Sequence, residues 1–294
     1  MKVPLLDRPT IYDGSKGILL GPGLAGAGRQ GSDIVEWLNL LAPEVVRACH
    51  DAYVRAGSQV IQTNTFNGNR VRLEQHGLGD DVLEVNRAGA QIAREATGDG
   101  VAIGGSMGPT GKLLVMNEIT AEEIGQAFAE QAAALEVGGV DFFHIETMAD
   151  MDEAVAAVAG VRSVSQLPIA LTMSFDSGNR TNGLRTMMGV SPAELARKGN
   201  ELGLFAVGAN CGRGLDGYQQ VIEQLASSSP RPALIAKMNA GIPRLENGKL
   251  VYDTTAEEVA AYARWCMDVG VELVGLCCGG NADDVKVIAS ALAR

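Results

Sequence analysis

Eight short apolar runs, each ending in small or polar residues and each followed by a stretch with helical patterning, constrain this chain more than any other feature. They occupy residues 10–15, 60–66, 101–107, 142–148, 168–175, 205–211, 233–239 and 273–278. None alternates strictly between apolar and polar positions, so each fits a strand buried on both faces, as in a parallel sheet covered by helices. The helices between them announce their ends. Thr120, Ser191 and Thr255 each stand three residues before a Glu, the spacing of a reciprocal cap, and Pro43 and Pro192 suit a first helical turn. Gly57, Gly138, Gly139, Gly203 and Gly270 fall where helices must close before the next strand. Eight strand–helix units in 294 residues predict an α/β chain folded as one (β/α)8 TIM barrel, a single domain spanning residues 1–294. The competing open sheet would need a Gly-rich turn directly at the first strand end. The Gly-rich segment 21–28 lies beyond that point and lacks the G-x-G-x-x-G spacing, so it is expected to be a mobile loop.

Composition narrows the partners. Twenty-four Lys and Arg against thirty-five Asp and Glu give a formal charge of -11, which disfavours nucleic acid and anionic membrane surfaces. No signal-peptide stretch and no apolar window of spanning length occurs, so a cytoplasmic protein is expected.

In a barrel of this kind reactive groups gather at the carboxyl ends of the strands. Asp13, Thr63, Asn64, Thr65, Ser106, Glu146, Asn210, Cys211, Asn239, Cys277 and Cys278 all occupy such positions. Cys49 and Cys266 instead lie on apolar helix stripes and read as packing residues. Cys211, Cys277 and Cys278 end strands six and eight, and three thiolates converging there would form a soft trigonal set for Zn2+ with the fourth tetrahedral corner open. Adjacent residues on a strand point to opposite faces, so Cys277 and Cys278 can share an ion only if the chain bends, as Gly279 and Gly280 would permit. Spacing alone equally fits two packing cysteines and one stray, and a strained vicinal disulfide or a phosphate-binding turn are further readings of the same segment. Asp283 and Asp284 speak against phosphate.

Glu146 stands in an otherwise apolar run, where an unpaired charge is costly, and therefore expects a cation. Asp13 has the same expectation, and Lys16 is close enough in sequence to meet it. If both carboxylates face the mouth, they would share a substrate ammonium group while backbone amides take its carboxylate. His50, His76 and His144 read as solvated or satisfied side chains, and Met107, Met148, Met173 and Met238 as adaptable packing.

Asp13-Gly14, Gln62-Thr63-Asn64-Thr65-Phe66-Asn67, the segment 105–111, Glu146-Thr147, Gly208-Ala209-Asn210-Cys211, Met238-Asn239-Ala240-Gly241 with Pro243, and the segment 275–280 stand in an order that resembles the homocysteine S-methyltransferase family. The likeness runs from about Asp13 to the C-terminus, and the Asn-Cys and Cys-Cys-Gly pieces are its most specific parts. It implies Cys211, Cys277 and Cys278 as zinc thiolates, Asp13 and Glu146 as holders of the homocysteine amino group, and Asn210 as a residue beside the metal. Gly14, Thr63, Asn64 and Ser106 complete the expected substrate pocket. The implied activity is methyl transfer to the homocysteine thiol, giving methionine. With the barrel filling the chain, a methylcobalamin donor would ride on a separate protein, as in a split methionine synthase. Betaine, dimethylsulfoniopropionate or S-methylmethionine would instead enter the mouth directly. Aromatics at only 4% lean away from such onium donors. A non-catalytic zinc- or thiol-binding barrel is the alternative of a different class. The chain departs from the family in its first loop: the common Asp-Gly-x-Met-Gly-Thr is here Asp13-Gly14-Ser15-Lys16-Gly17-Ile18.

Overall fold

A computed structural model describes residues 9–97, 100–179, 183–212, 215–241, 244–246 and 249–293. Residues 1–8, and with them most of the N-terminal segment examined for a leader, lie outside the described residues, as does Pro243. Eight parallel strands form the barrel: β1 (Thr10–Ile11), β2 (Val60–Gln62), β3 (Ala102–Met107), β4 (Phe142–Met148), β5 (Ile169–Met173), β6 (Ala206–Asn210), β7 (Ala233–Met238) and β8 (Leu273–Leu276). Each lies inside one of the apolar runs. Neighbours in sequence are neighbours in the sheet, β8 pairs with β1, and a parallel bridge between Tyr12 and Val60 brings β1 to β2 and closes the cylinder. The fold is the expected (β/α)8 barrel.

The outer ring comprises α1 (Pro43–Ala56), α2 (Val82–Thr97), α3 (Ala121–Gly138), α4 (Met151–Val164), α5 (Pro192–Glu201), α6 (Leu215–Ser227), α7 (Ala256–Val269) and α8 (Ala282–Leu292). Thr120 with Glu123 and Thr255 with Glu258 form complete reciprocal caps. Ser191 accepts from the Glu194 amide without a recorded return bond, and Asn281 with Asp284 supplies a third complete cap. Such caps satisfy amides that a helix start leaves open, each stabilising by about 1 kcal/mol. No described helix is long and apolar enough to cross a membrane.

One expectation fails in the first loop. Residues Gly17–Gly26 form a helix, although the segment contains Pro22 and four glycines, all poor formers. Tertiary burial overrides propensity here: Leu20 and Leu24, one turn apart, are both buried, contributing about 1.5–3 kcal/mol each. Gly23 permits the approach, since a Cβ there would stand 3.0 Å from Val45 and 3.3 Å from Leu38.

Alternation along the strands sorts the barrel interior into levels. The floor is apolar, with Tyr12, Val60, Ala102, Phe142, Ala170, Ala206, Ile235 and Leu273 forming one cluster. Two residues further along the seven strands β2 to β8 stand Gln62, Gly104, His144, Thr172, Gly208, Lys237 and Gly275, a polar level whose glycines leave room for the larger side chains. Two further on come Asn64, Ser106, Glu146, Ser174, Asn210, Asn239 and Cys277, at the mouth. Most of the intervening residues face the helices; Asp13 and Thr63, at strand ends, instead reach the interior and the cavity. Met107, Met148, Met173 and Met238 are all buried in that outer core, together with Cys49 and Cys266.

Candidate metal and substrate site

The thiols meet at the mouth. Cys211 Sγ lies 2.8 Å from Cys277 Sγ and 3.7 Å from Cys278 Sγ, and all three sulfurs fall within 4.8 Å of one another. A tetrahedral Zn2+ with bonds of about 2.3 Å separates its sulfurs by about 3.8 Å, so the Cys211–Cys278 pair already matches and the Cys211–Cys277 pair would open by about 1 Å. The bend that adjacent cysteines require is present. Cys277 keeps the inward alternation of β8, and Gly279, at φ 88°, turns the chain so that Cys278 joins it. A side chain at Gly279 would collide with the Tyr252 ring. The Cys278 amide is held by Asn239 Oδ1 at 3.1 Å. Hydrogen bonds from Cys211 and then Cys277 draw the Cys278 thiol downward, while bonds to Cys277 and then Cys278 push Cys211 upward. The thiolate is the form that binds metal.

Asn210 joins the thiols to the barrel interior. Its Nδ2 reaches Cys277 Sγ at 3.6 Å and donates to Thr147 Oγ1 at 2.7 Å, while its Oδ1 accepts from the Thr147 amide at 2.9 Å and Thr172 Oγ1 at 2.6 Å. This grip explains a backbone anomaly. Thr147 has φ 60°, a rare conformation for a β-branched residue, at an irregularity in the β4–β5 register. Two bonds from one amide hold it there. Below, His144 Nε2 donates to Thr172 Oγ1 at 3.0 Å, and His144 Nδ1 accepts from Tyr12 Oη at 3.0 Å and Gln62 Nε2 at 3.2 Å. Burial, followed by Lys237, pushes His144 well below its usual value, so a neutral ring with its proton on Nε2 satisfies every bond.

A cavity of about 280 Å3 opens beside the thiols. Gly14, Thr63, Asn64, Ser106, Glu146 and the three cysteines line it, whereas Asp13 and Asn210 stand behind its wall. Thr63 and Asn64 are also tied into the wall: Thr63 Oγ1 accepts from the Ser106 amide at 3.0 Å, and Asn64 Nδ2 donates to Val35 O and Asn39 Oδ1, each at 2.9 Å. Ser106 Oγ and Gln62 Nε2 both donate to Glu146 Oε1 at 2.5 Å. Glu146 is 7% exposed, and burial raises its carboxyl above the ordinary range despite the pull of Lys237.

Asp13 is fully buried and already bonded. Its Oδ2 accepts from Lys16 Nζ at 2.5 Å and from the Gln62 amide at 2.8 Å, and its Oδ1 from Lys237 Nζ at 3.0 Å. Burial would raise this carboxyl, but Lys16 and then Lys237 hold it below its usual value. Lys237, Gln62 and Thr172 are absent from the sequence-derived site. Lys237 carries the same signal that singled out Glu146, a charge inside an apolar run, and its spacing from Ile235 and Asn239 puts it on the inward face. Glu36, also missed, lines the cavity and accepts from the Asn67 amide at 2.7 Å. His50 is buried with no hydrogen-bond partner among the described residues, unlike the satisfied side chain expected.

Comparison with known proteins agrees with this geometry. Residues 10–292 match the family model for homocysteine S-methyltransferase. Methionine synthase of Mycobacterium leprae is 27% identical over 300 residues, which cover 94% of this chain and 24% of that protein's length. The metallated homocysteine methyltransferase MmuM of Escherichia coli superposes with TM-score 0.77 at 18% identity, covering 96% of both chains. A methyltransferase from Methanosarcina mazei follows at TM-score 0.60 and 14% identity, over 99% of this chain and 95% of its own. With its whole barrel matched to the family model, the chain belongs to the homocysteine S-methyltransferase family.

Proposed function

We propose that this chain is a zinc-dependent enzyme that transfers a methyl group to the thiol of homocysteine, yielding methionine, and that residues 1–294 act as one domain. The convergence of Cys211, Cys277 and Cys278 at the cavity carries the reading. The donor set fits Zn2+ in kind and number, and three thiolates lining the cavity would leave a tetrahedral ion one position for substrate. When bound, the metal would hold the substrate sulfur as a thiolate near neutral pH while leaving it nucleophilic.

The chain's own residues do the rest. Glu146, fixed by Gln62 and Ser106, offers its charge to the substrate ammonium. Asn210 holds the Cys277 sulfur and the Thr147 backbone in one arrangement, so that the thiolates and Glu146 keep a constant separation. The buried walls exclude water from the methyl group in transit and fix the attack geometry.

For the donor, Phe66 is the aromatic ring lining the cavity among the described residues, a poor cage for an onium cation. This supports delivery by methylcobalamin on a separate protein, with this chain as the homocysteine-activating subunit of a split methionine synthase. Zinc content and methionine formation in Cys211→Ser, Cys277→Ser and Cys278→Ser variants test the assignment. Each should lose most of its metal and its activity; full retention of both in all three would end it. A donor screen with and without a methylcobalamin protein tests the second step, and turnover with betaine, dimethylsulfoniopropionate or S-methylmethionine alone would overturn it. Metal binding without turnover under any donor would favour a non-catalytic barrel.

A further inference from the structure

The charges around Asp13 do not pair one to one. Two ammonium groups, Lys16 and Lys237, reach a single buried carboxylate. Lys237 is already committed: it is 3% exposed, donates to Asp13 Oδ1 and Gln62 Oε1, and lies 4.3 Å from the centre of the Tyr12 ring. That pairing alone neutralises Asp13. Lys16 is different. Its side chain is 11% exposed, it lines the cavity between Gly14 and Gly17, and Asp13 is its recorded partner among the described residues, although an ammonium carries three donors. The turn that carries it is anchored, since the Ser15 amide donates to Gly280 O at 2.9 Å and Tyr53 Oη to Ser15 O at 2.5 Å. Glu146, on another wall of the same cavity, receives hydrogen bonds from the neutral donors Gln62 and Ser106. The wall near β1 is therefore positive in surplus, and the walls that carry Glu146 and Glu36 negative.

We infer that Lys16 is a specificity-determining residue that binds the substrate's carboxylate, so that Lys16 and Glu146 together select a zwitterionic α-amino acid bearing a thiol. The inference rests on the thiol-acceptor reading above and moves Asp13 from substrate ligand to anchor. Asp13 holds Lys16 from behind, which fixes the ammonium without consuming all its donors. A neutral side chain at position 16 would leave carboxylate recognition to backbone amides alone.

Three thiols separate the contributions: homocysteine, 3-aminopropane-1-thiol, which lacks the carboxylate, and 4-sulfanylbutanoate, which lacks the ammonium. Their binding to the zinc-loaded protein is measured by calorimetry, so the readout is independent of any methyl donor. The wild-type protein should favour homocysteine over 3-aminopropane-1-thiol by about tenfold or more, as expected for a charge-assisted bond. Lys16→Met should abolish that preference while keeping the preference over 4-sulfanylbutanoate, and Lys16→Arg should largely restore it. Equal wild-type affinity for homocysteine and 3-aminopropane-1-thiol would overturn the inference without any variant. An unchanged ratio in a Lys16→Met protein that keeps its zinc would do the same. Failure of all three thiols to bind would instead remove the thiol-acceptor reading, and this inference with it.

Discussion

Replacing Glu146 by glutamine separates what the carboxylate costs the fold from what it gives the substrate. The change is close to isosteric, and the glutamine oxygen can keep both bonds now made to Oε1, from Gln62 and Ser106. What disappears is a charge on a side chain only 7% exposed. Burial is the dominant influence on this carboxyl and raises it, outweighing Lys237. In the window between the unfolded value, about 4.3, and the raised folded value, the native state keeps a proton that the unfolded chain has lost. Stability therefore falls as pH rises through that window. Above it, the wild type carries the full penalty and Glu146→Gln carries none. Buried, incompletely matched charges cost several kcal/mol at most, and Lys237 returns part of this, so the variant should be more stable at pH 8 by about 1–2 kcal/mol. For a chain of this size that is a rise in melting temperature of about 2–3 °C. The gain should shrink towards zero near pH 4, where the wild-type carboxyl is itself protonated. Homocysteine binding should weaken by about 10- to 150-fold, the loss of one charge-assisted bond. Thermal melts from pH 4 to 8 and calorimetric titration measure both effects. A variant with intact zinc that is no more stable than wild type at pH 8, or a difference that does not vary with pH, would refute the reasoning.

Asp13→Asn should have the opposite character. It leaves Lys237 and Lys16 buried against a neutral group, so chemical denaturation at pH 7 should show a loss of about 3–5 kcal/mol. Because the folded Asp13 value is lowered, that gap should be complete above about pH 4 and close as pH falls further. Thr172→Val removes the link between His144 and Asn210 and should cost about 1–3 kcal/mol in denaturant melts. Freed from it, the Asn210 amide should hold Cys277 less well, weakening zinc affinity about tenfold in chelator competition. Gly160→Ala should destabilise by about 1–3 kcal/mol, because its Cβ would stand 2.1 Å from Gly125 O where α3 packs on α4.

All eight strands were legible in the sequence because strands buried on both faces must be continuously apolar, and few other segments of this chain are. The thiol trio was legible for a related reason: a cysteine at a strand end has a known place in a barrel even when its partner is 66 residues away. The helix at Gly17–Gly26 was not, since its existence depends on where Leu20 and Leu24 find cover, which only the assembled barrel supplies. The role of Asp13 was half legible. Lys16 was visible as a neighbour, but Lys237 arrives from β7, 224 residues away, and adds a second, buried ammonium to the same carboxylate.

The sorting of the interior by alternate residues makes the site sensitive to length as well as to identity. A single residue added or removed just before Leu273, with the pairing to β7 kept, would rotate the inward face of β8 by one step. Glycine 275 would be exchanged for a bulkier neighbour against Tyr12, and the sulfur of Cys277 would turn towards α8. Floor, polar middle and mouth are thus phased together along β2 to β8, so evolution can lengthen the connections above the rim freely but can edit those staves only by substitution.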